Sequence, residues 1–182
     1  MRKIVAGLFA SLDGVVEAPE TWSTGYFSDE AQQEIGAQMA ASDTMLLGRV
    51  TYEGFAAYWP GRSAEEDPMA GFMNATPKLV ASRTLKEVEW ENSTLIEGDA
   101  AEELARLKKE PGKDITVTGS VTLVGSLLRS GVLDELRLLV YPIVLGRGRR
   151  LYEDGDRVPL RLVDSRSHRN GVLSLVYEPD HP

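Results

Sequence analysis

The chain contains no cysteine and only two histidines, and these absences exclude several classes of protein. Without cysteine it forms no disulfide and offers no thiol nucleophile and no iron–sulfur ligand. One histidine, His181, lies in the terminal tail and the other, His168, beside a predicted hairpin turn, so we expect neither a histidine-rich metal site nor a Ser-His-Asp hydrolase. We therefore predict no metal ion and assign His168 no catalytic role.

The chain also lacks a long apolar run and an excess of positive charge. No stretch is apolar over the length that spans a bilayer, so we expect no membrane partner. The net charge is −8 and the isoelectric point about 4.9, which disfavours nucleic acid as a partner. An anionic small molecule would have to be held by a local cluster of donors. The 182 residues suffice for one domain, 1–182, and we expect a cytoplasmic protein.

Residues 114–129 predict a strand, a glycine turn and a helix in direct succession. Ile115 and Val117 belong to a short β-branched run, and after Gly119 the apolar residues recur at helical spacing. Such a junction leaves the N–H groups of the first helical turn unpaired, and these groups attract phosphate. Two roles are open to Ser120, as the N-cap of the free helix or as a donor to a phosphate oxygen. A plain packing unit without a ligand remains the alternative.

Two further strand ends carry groups that suit an anion. Gly48 and Arg49 join a predicted strand to a predicted helix, where a guanidinium adds positive charge to the helix start. Ser82, Arg83 and Thr84 follow the next strand and place a guanidinium between two hydroxyl groups. A solvated loop start is the alternative for this second group. Because the carboxyl ends of parallel strands meet at one edge of a sheet, we expect all three strand ends to lie together.

The order of elements predicts the fold class. About eight strands and four helices mostly alternate, and the chain ends in a hairpin of strands 160–166 and 172–177 with Asn170-Gly171 at its tip. This order predicts a three-layer α/β fold with a mixed, mainly parallel sheet and a C-terminal antiparallel hairpin. Residues 59–76, rich in proline, glycine and charge, predict an exposed connection. For the basic loop 145–150 we leave open a solvated turn, a phosphate contact and a subunit contact.

Five segments carry a family resemblance when they are taken together. They are VAGLFASLDGVV, TMLLGRVTYEGF, KLVASRTL, ITVTGSVTLVGSLL and DELRLLVYPIVLGRGRRLYE. In this order and spacing they resemble the dihydrofolate reductase-like superfamily, and within it the reductase domain of the bacterial riboflavin-biosynthesis deaminase-reductase. The resemblance implies a fold that binds NADPH, a small-molecule substrate and a homodimer.

The resemblance also implies three groups of cofactor contacts, one at each strand end. The first holds phosphates at a helix start (Gly48, Arg49 and Thr51). The second grips the 2′-phosphate that distinguishes NADPH from NADH (Ser82, Arg83 and Thr84). The third cradles the pyrophosphate through backbone N–H groups (Gly119, Ser120, Val121, Thr122 and Leu123).

Four residues are candidates for the substrate side. Asp13, at the exit of the first strand, is a candidate for proton handling or for contact with a substrate hydroxyl, with a simple turn residue as the alternative. Gln32 lies near the position where dihydrofolate reductases carry an acid, and we expect it to face inward with the apolar residues of its helix. Glutamine can hydrogen-bond a heterocyclic amide but cannot serve as an acid. Trp22 and Phe55 are expected to wall the substrate pocket, with core packing as the alternative, chiefly for Phe55.

These expectations support three hypotheses of function. The leading one is an NADPH-dependent reductase of a small heterocycle or an imine or carbonyl compound. It would resemble 5-amino-6-(5-phosphoribosylamino)uracil reductase of riboflavin biosynthesis or dihydrofolate reductase, although Gln32 argues against folate reduction. The second is an NADPH-binding protein without turnover, such as a sensor or a remnant. The third is an interaction module that binds no nucleotide.

Overall fold

A computed structural model describes residues 1–152 and 157–180, so His181 lies outside the described part. The sheet has eight strands: β1 (Ile4–Ser11), β2 (Ser42–Gly48), β3 (Lys78–Ala81), β4 (Ser93–Leu95), β5 (Asp114–Thr118), β6 (Glu135–Tyr141), β7 (Leu160–Ser167) and β8 (Leu173–Pro179). They are ordered β4-β3-β2-β5-β1-β6-β8-β7. The pairs from β4 to β6 are parallel, and β8 is antiparallel to β6 and β7. The predicted α/β fold with a C-terminal antiparallel hairpin is therefore confirmed.

Five α-helices connect the strands: α1 (Asp29–Ala40), α2 (Arg49–Tyr58), α3 (Ala70–Ala75), α4 (Ala100–Leu107) and α5 (Val121–Arg129). The Ser28 hydroxyl accepts a hydrogen bond from the N–H of Ala31 at 3.2 Å and so begins α1. Asp99 begins α4, since its carboxylate accepts from two backbone N–H groups of the first turn. Two short 3₁₀ turns, Pro19–Thr21 and Thr24–Tyr26, lie in the loop between β1 and α1.

The expectation of a wholly exposed connection over 59–76 was wrong, because α3 lies within it. Ala70 and Met73 of this helix are buried. The buried Lys78 explains how so short a helix ends, since its ammonium donates to the carbonyls of Met73, Asn74 and Thr76 at 2.8–3.1 Å. Burial lowers the pKa of Lys78 to about 8. The apolar residues of α3 were hidden by the charged and proline-rich composition around them.

The two faces of the sheet are covered differently. Residues of β1 alternate, so that Ala6 and Leu8 pack with α4 and α5, whereas Gly7 and Phe9 face the other side. We call that other side, which is covered by α1 and α2, the α1 face. On it, the surface of β6, β8 and β7 lies open beside α1, and Val163 of β7 is 48% exposed. The candidate site lies where this open surface meets the carboxyl edge of the sheet.

Candidate functional site

The three predicted anion-binding strand ends lie at one edge. Strands β3, β2 and β5 are direct neighbours and run parallel, so Ser82, Gly48 and Gly119 follow adjacent carboxyl ends. The expected clustering of these strand ends is confirmed. We refer to this part of the molecule as the carboxyl edge.

The turns after β2 and β5 touch each other at the carboxyl edge. A Cβ atom added to Gly48 would lie 1.9 Å from the Ser120 Oγ, and one added to Gly119 would lie 3.1 Å from the Thr51 Oγ1. Glycine at position 48 is thus required by the close approach of the two turns. At this edge the Ser120 and Thr51 side chains pack directly on the main chain of Gly48 and Gly119, so each turn contacts the element opposite it.

Ser120 does not cap α5, so that one of its two expected roles is wrong in this structure. Its side chain makes no hydrogen bond to the helix start, because the Oγ is turned onto Gly48. Gly119 and Ser120 both have positive φ angles, 72° and 58°. A serine in the left-handed region is strained, and strain of this kind clusters at ligand sites. The N–H groups of the first turn of α5 are therefore left uncapped by this side chain, beside the turn after β2.

The two arginines at this edge, Arg49 and Arg83, differ in whether they pair with another residue. The Arg49 guanidinium pairs with Glu53 one helical turn away at 3.0 Å, and both side chains are about half exposed. Arg83 is exposed, and no other residue within 1–152 and 157–180 forms an ion pair or hydrogen bond with it. The Ser82 hydroxyl accepts from the N–H groups of Thr84 and Leu85 at 3.1 and 3.0 Å and fixes the turn that presents Arg83. Arg83 is thus an exposed cation on a hydrogen-bonded turn at the carboxyl edge, and it is unengaged by the residues that the structure describes.

A cavity of about 440 Å³ lies on the α1 face and adjoins this edge. It begins at Thr118, one residue before Gly119, and extends past α1 over β1, β6 and β8 to β7. Its polar lining comes from α1, β5, β6 and β7 and includes Glu34, Gln38, Thr116, Thr118, Arg137 and Arg166. The volume lies within the range of about 300–1,000 Å³ that is usual for small-molecule sites.

The glutamine that enters the cavity is Gln38 and not Gln32. The Gln38 Nε2 donates to the Thr116 Oγ1 at 2.9 Å, and its Oε1 lies 2.8 Å from where a Cβ of Gly7 would stand. Gln32 is exposed, so its expected inward orientation was wrong. The buried stripe of α1 passes through Ala31, which is 1% exposed, and this rotation of the helix turns Gln32 towards solvent.

Glu34 is a cavity residue that the sequence analysis missed. It lies one helical turn before Gln38, lines the cavity and is 27% exposed at its side chain. Helix α1 therefore does present an acid to the cavity, although none was expected near Gln32. The spacing of Ala31, Glu34 and Gln38, at i, i+3 and i+7, was the available signal for this face.

The contacts of Asp13 favour its alternative role as a turn residue. Its Oδ1 accepts from the Ser11 hydroxyl at 2.7 Å and from the Leu145 N–H at 3.1 Å, and its Oδ2 from the Gly146 N–H at 2.9 Å. These hydrogen bonds, that of Ser11 foremost, lower the pKa of Asp13 to about 2. An ionised carboxylate has no proton to give at neutral pH, so the proposed proton donation is not supported. Asp13 instead ties the basic loop 145–150 to the exit of β1, and the Arg150 Nε donates to its carbonyl at 2.9 Å.

Neither of the two candidate wall residues belongs to the lining of the cavity that the described residues form. Trp22 donates from its Nε1 to the carbonyl of Glu17 at 2.9 Å and packs edge-on against Tyr141 at 5.5 Å. Phe55 packs in the core between α2 and β2, with Trp59 at 6.4 Å. Core packing, the alternative for both, accounts for these contacts.

Within residues 1–152 and 157–180, no group of three or more histidines and carboxylates is arranged to hold a metal ion. None of the described helices combines the length and the apolar character that crossing a bilayer requires.

Comparison with known proteins identifies the family. A family model described as the RibD C-terminal domain matches residues 2–174. The chain belongs to the RibD C-terminal domain family. Membership of this family supports a reductase-like function, and it confirms the resemblance found in the sequence.

Individual relatives agree with this placement in the RibD C-terminal domain family. The uncharacterised protein YyaP of Bacillus subtilis is 31% identical over 182 residues, covering 97% of this chain and 94% of YyaP. A putative riboflavin biosynthesis protein from Shewanella sp. PV-4 has a crystal structure with a TM-score of 0.78, 20% identity and coverage of 98% and 99% of the two chains. Dihydrofolate reductase from Enterococcus faecalis, in complex with NADP(H), has a TM-score of 0.65 at 14% identity, with coverage of 98% and 97%. At these identities the two structures show the dihydrofolate reductase-like fold.

Proposed function

We propose that this chain is an NADPH-dependent reductase whose cofactor lies along the carboxyl edge and whose substrate lies in the cavity beside α1. The observation that carries the proposal is the continuity of the two regions. The cavity begins at Thr118, and the next residue, Gly119, opens the turn that contacts Thr51. One extended ligand along the edge would therefore reach the cavity with one of its ends.

The carboxyl edge suits the phosphates of a dinucleotide. The turn at Gly119 and Ser120 and the uncapped start of α5 offer backbone N–H groups to a pyrophosphate. Thr51 and Arg49 lie on the facing helix start, and Arg83 is the unengaged cation for a 2′-phosphate. A local cluster of this kind is what an anion requires on a protein with a net charge of −8. The backbone of Val121, Thr122 and Leu123 and the hydroxyls of Ser82 and Thr84 complete the proposed contacts.

The cavity suits a small heterocycle or an imine or carbonyl compound. The bound cofactor supplies the hydride, and the protein has to supply position and a proton. Glu34 and Gln38 lie one helical turn apart on the cavity wall, so a planar ligand can meet a carboxyl group and an amide on one side. Glu34 replaces Asp13 as the proposed source of the proton, and Gln38 replaces Gln32 as the proposed amide contact. A phosphoribosylaminouracil and a dihydropterin are the two substrates to examine first.

The experiment compares cofactors by isothermal titration calorimetry. We expect NADPH to bind at least about tenfold more tightly than NADH, because a charge-assisted hydrogen bond to the 2′-phosphate is present only with NADPH. Arg83→Ala should weaken NADPH binding by about tenfold to a hundredfold and leave NADH binding unchanged. Arg161→Ala is the matched control, since Arg161 pairs with Glu178 at the opposite edge of the sheet. Equal affinity for both nucleotides in the parent protein would contradict the 2′-phosphate contact.

Turnover is tested separately from binding. A panel of pterin, pyrimidine and imine compounds is incubated with the protein and NADPH, and the loss of absorbance of NADPH is followed. Tight binding without oxidation in the whole panel would favour the alternative, an NADPH-binding protein without turnover. The homodimer and the cytoplasmic location stay predictions, and sedimentation velocity tests the first.

A further inference from the structure

The buried histidine of the C-terminal hairpin lies directly behind the acid of the cavity. The His168 Nε2 is 3.2 Å from the Glu34 Oε1, and the two residues are 134 positions apart in the chain. The imidazole is 3% exposed and the Glu34 side chain 27% exposed, so the histidine is interior and the carboxyl group reaches the cavity. Among the described residues, the Glu34 Oε2 has no hydrogen-bond partner.

The second imidazole nitrogen argues against a purely structural role. The His168 Nδ1 is buried and has no hydrogen-bond partner among the residues that the structure describes. An unpaired buried nitrogen is unfavourable, and an apolar side chain would fill the same space without that cost. The protein therefore keeps an imidazole, which can bind and release a proton, at a position that an apolar side chain could fill.

The hairpin is held against the region of α1 by Asn170. The Asn170 Nδ2 donates to the carbonyl of Tyr26 at 2.5 Å, in the loop before α1. The Arg169 Nε lies 4.0 Å from the Glu30 carboxylate on α1, but the Arg169 side chain is 98% exposed, so this ion pair contributes little. The Asn170 contact is therefore the one that keeps His168 beside Glu34.

The charged and titratable surroundings of the imidazole are few. Helix α1 contributes Glu34 and Glu30, the hairpin contributes Arg169, and β6 contributes the buried phenol of Tyr141, which packs in one cluster with Ala31 and Val172. Of these groups only Glu34 lies within hydrogen-bond distance of the imidazole. Any proton that the imidazole exchanges within the protein therefore passes through this carboxyl group.

We propose that His168 is a positioning residue that relays a proton through Glu34 to the substrate. This inference rests on the proposed function. Before the step the pair holds two transferable protons, one on the Glu34 Oε2 and one on the Nε2 of an imidazolium at His168. The O–H bond at the Glu34 Oε2 breaks as a nitrogen or oxygen of the substrate takes the proton; the bound cofactor would supply the hydride to the adjacent carbon. The His168 Nε2–H bond then breaks and an O–H bond forms at the Glu34 Oε1, which leaves a neutral imidazole that keeps its hydrogen on Nδ1. After the product leaves, water in the cavity returns one proton to the pair through the same carboxyl group.

The relay is chemically useful because each partner lacks what the other has. A carboxyl group in water is ionised at neutral pH and has no proton to donate, whereas an imidazole changes its charge between pH 5 and 8. The imidazole is shielded from solvent and cannot reach the cavity itself. The carboxyl group reaches the cavity and the imidazole lies in contact with it, so the pair joins a buried proton carrier to the cavity wall.

The first test needs no substrate. The chain has two histidines, so the Hε1 signals in a ¹H–¹³C spectrum are two, and His168→Gln identifies them. We expect Glu34→Gln to change the ¹⁵N chemical shift of the His168 Nε2, which reports whether that nitrogen carries a hydrogen, because the carboxylate partner at 3.2 Å is lost. The signals of His181 should not change. An unchanged Nε2 signal of His168 in Glu34→Gln would overturn the proposal, whatever the protein does with NADPH.

The second test separates relay from packing. With a substrate from the turnover panel, we expect His168→Gln to lower kcat by about tenfold to a hundredfold and to flatten its pH dependence, with the KM for NADPH unchanged. Glutamine keeps a donor near the position of Nε2 but cannot exchange the proton. Arg169→Ala is the control in the same hairpin and should retain both kcat and its pH profile. A wild-type pH profile in His168→Gln would overturn the relay, and so would an equal loss in Arg169→Ala.

If no compound in the panel is reduced, the proposed function fails and the relay fails with it. In that case a changed Nε2 signal of His168 in Glu34→Gln would show only that the two groups are hydrogen-bonded. The two failures are therefore distinguishable.

Discussion

The carboxyl edge and the cavity are built by opposite means, although they meet at Thr118. Each part of the edge is a glycine turn followed directly by a helix start, and the Ser120 hydroxyl packs on the main chain of Gly48. The cavity consists of side chains from α1 and from strands far away in the chain, such as Glu34 and Arg137. A site made of local turns can be read from sequence, whereas a site made of distant side chains depends on how each element is rotated. Mutations should therefore separate cofactor binding at the edge from chemistry in the cavity.

The largest expected effect lies in the cavity. Glu34→Gln should lower kcat by about a hundredfold to ten-thousandfold, because a positioned general acid contributes that much and glutamine has no proton to give. The affinity for NADPH should stay within about twofold, since Glu34 is not part of the carboxyl edge. Single-turnover kinetics and calorimetry measure the two quantities. A parallel loss of NADPH affinity would mean that edge and cavity are not separable.

The difference between local turns at the edge and distant side chains in the cavity also explains which parts of the fold and of the site could be predicted from the sequence. The strand order, the clustering of Gly48, Ser82 and Gly119 and the caps of α1 and α4 follow from periodicity, turn residues and the parallel arrangement, all of which are local signals. Whether Gln32 or Gln38 faces the cavity depends on how α1 is rotated about its own axis, and a difference of about one residue is enough to exchange them. No local signal in the sequence fixes such a rotation. The partners of Asp13 in loop 145–150 are 132 and 133 positions away in sequence.

Two further outcomes show the limits of local signals. Serine is a favoured N-cap residue because its hydroxyl can accept from the N–H groups of the first helical turn. In this structure the Ser120 hydroxyl packs on the main chain of Gly48 instead. The contact between His168 and Glu34 joins the hairpin to α1, and nothing in either segment indicates the other. Sequence therefore predicted where the cofactor is proposed to bind and missed the residues proposed to act on the substrate.

The second effect in size concerns the edge. Gly48→Ala places a methyl group where the Ser120 Oγ now lies, and we expect a loss of about 1–3 kcal/mol in the free energy of unfolding from overpacking. That corresponds to a fall of Tm by about 3–10 °C and, because the turn at Ser120 is displaced, to about tenfold weaker NADPH binding. Differential scanning fluorimetry and calorimetry measure both.

Gly54→Ala is the matched control for that variant. Gly54 lies in α2, and a Cβ there would have no atom within 4 Å. Alanine in a helix is favoured over glycine by about 1 kcal/mol, so this variant should be slightly more stable than the parent and bind NADPH equally well. If Gly48→Ala and Gly54→Ala had the same Tm and the same affinity for NADPH, the close approach of Ser120 to Gly48 would not determine the geometry of the edge.

The smallest effect is expected at Asp13, which we assign neither to cofactor binding at the carboxyl edge nor to chemistry in the cavity. Its pKa is lowered to about 2 in the folded chain from an ordinary value of 3.8, so its contribution to stability is present above about pH 4 and is lost as the pH falls towards 2. Asp13→Asn should therefore have a lower Tm than the parent at pH 7, and the difference should narrow below pH 4. Thermal melts across that range measure it. A large loss of turnover with an unchanged Tm in Asp13→Asn would contradict the turn role and support Asp13 as a catalytic residue.

The strand order has a consequence for how the chain is made. The first strand, β1, lies in the interior of the sheet between β5 and β6, and its partners are residues 115–118 and 135–141. The backbone of β1 therefore stays unpaired during synthesis until β5, whose Ile115 lies 111 positions after its partner Ile4, has been made. Parallel pairing over such separations makes folding slow and exposes the unpaired apolar strand in the meantime. Production of this protein should accordingly benefit from slow expression at low temperature, and fragments that end before β5 should aggregate.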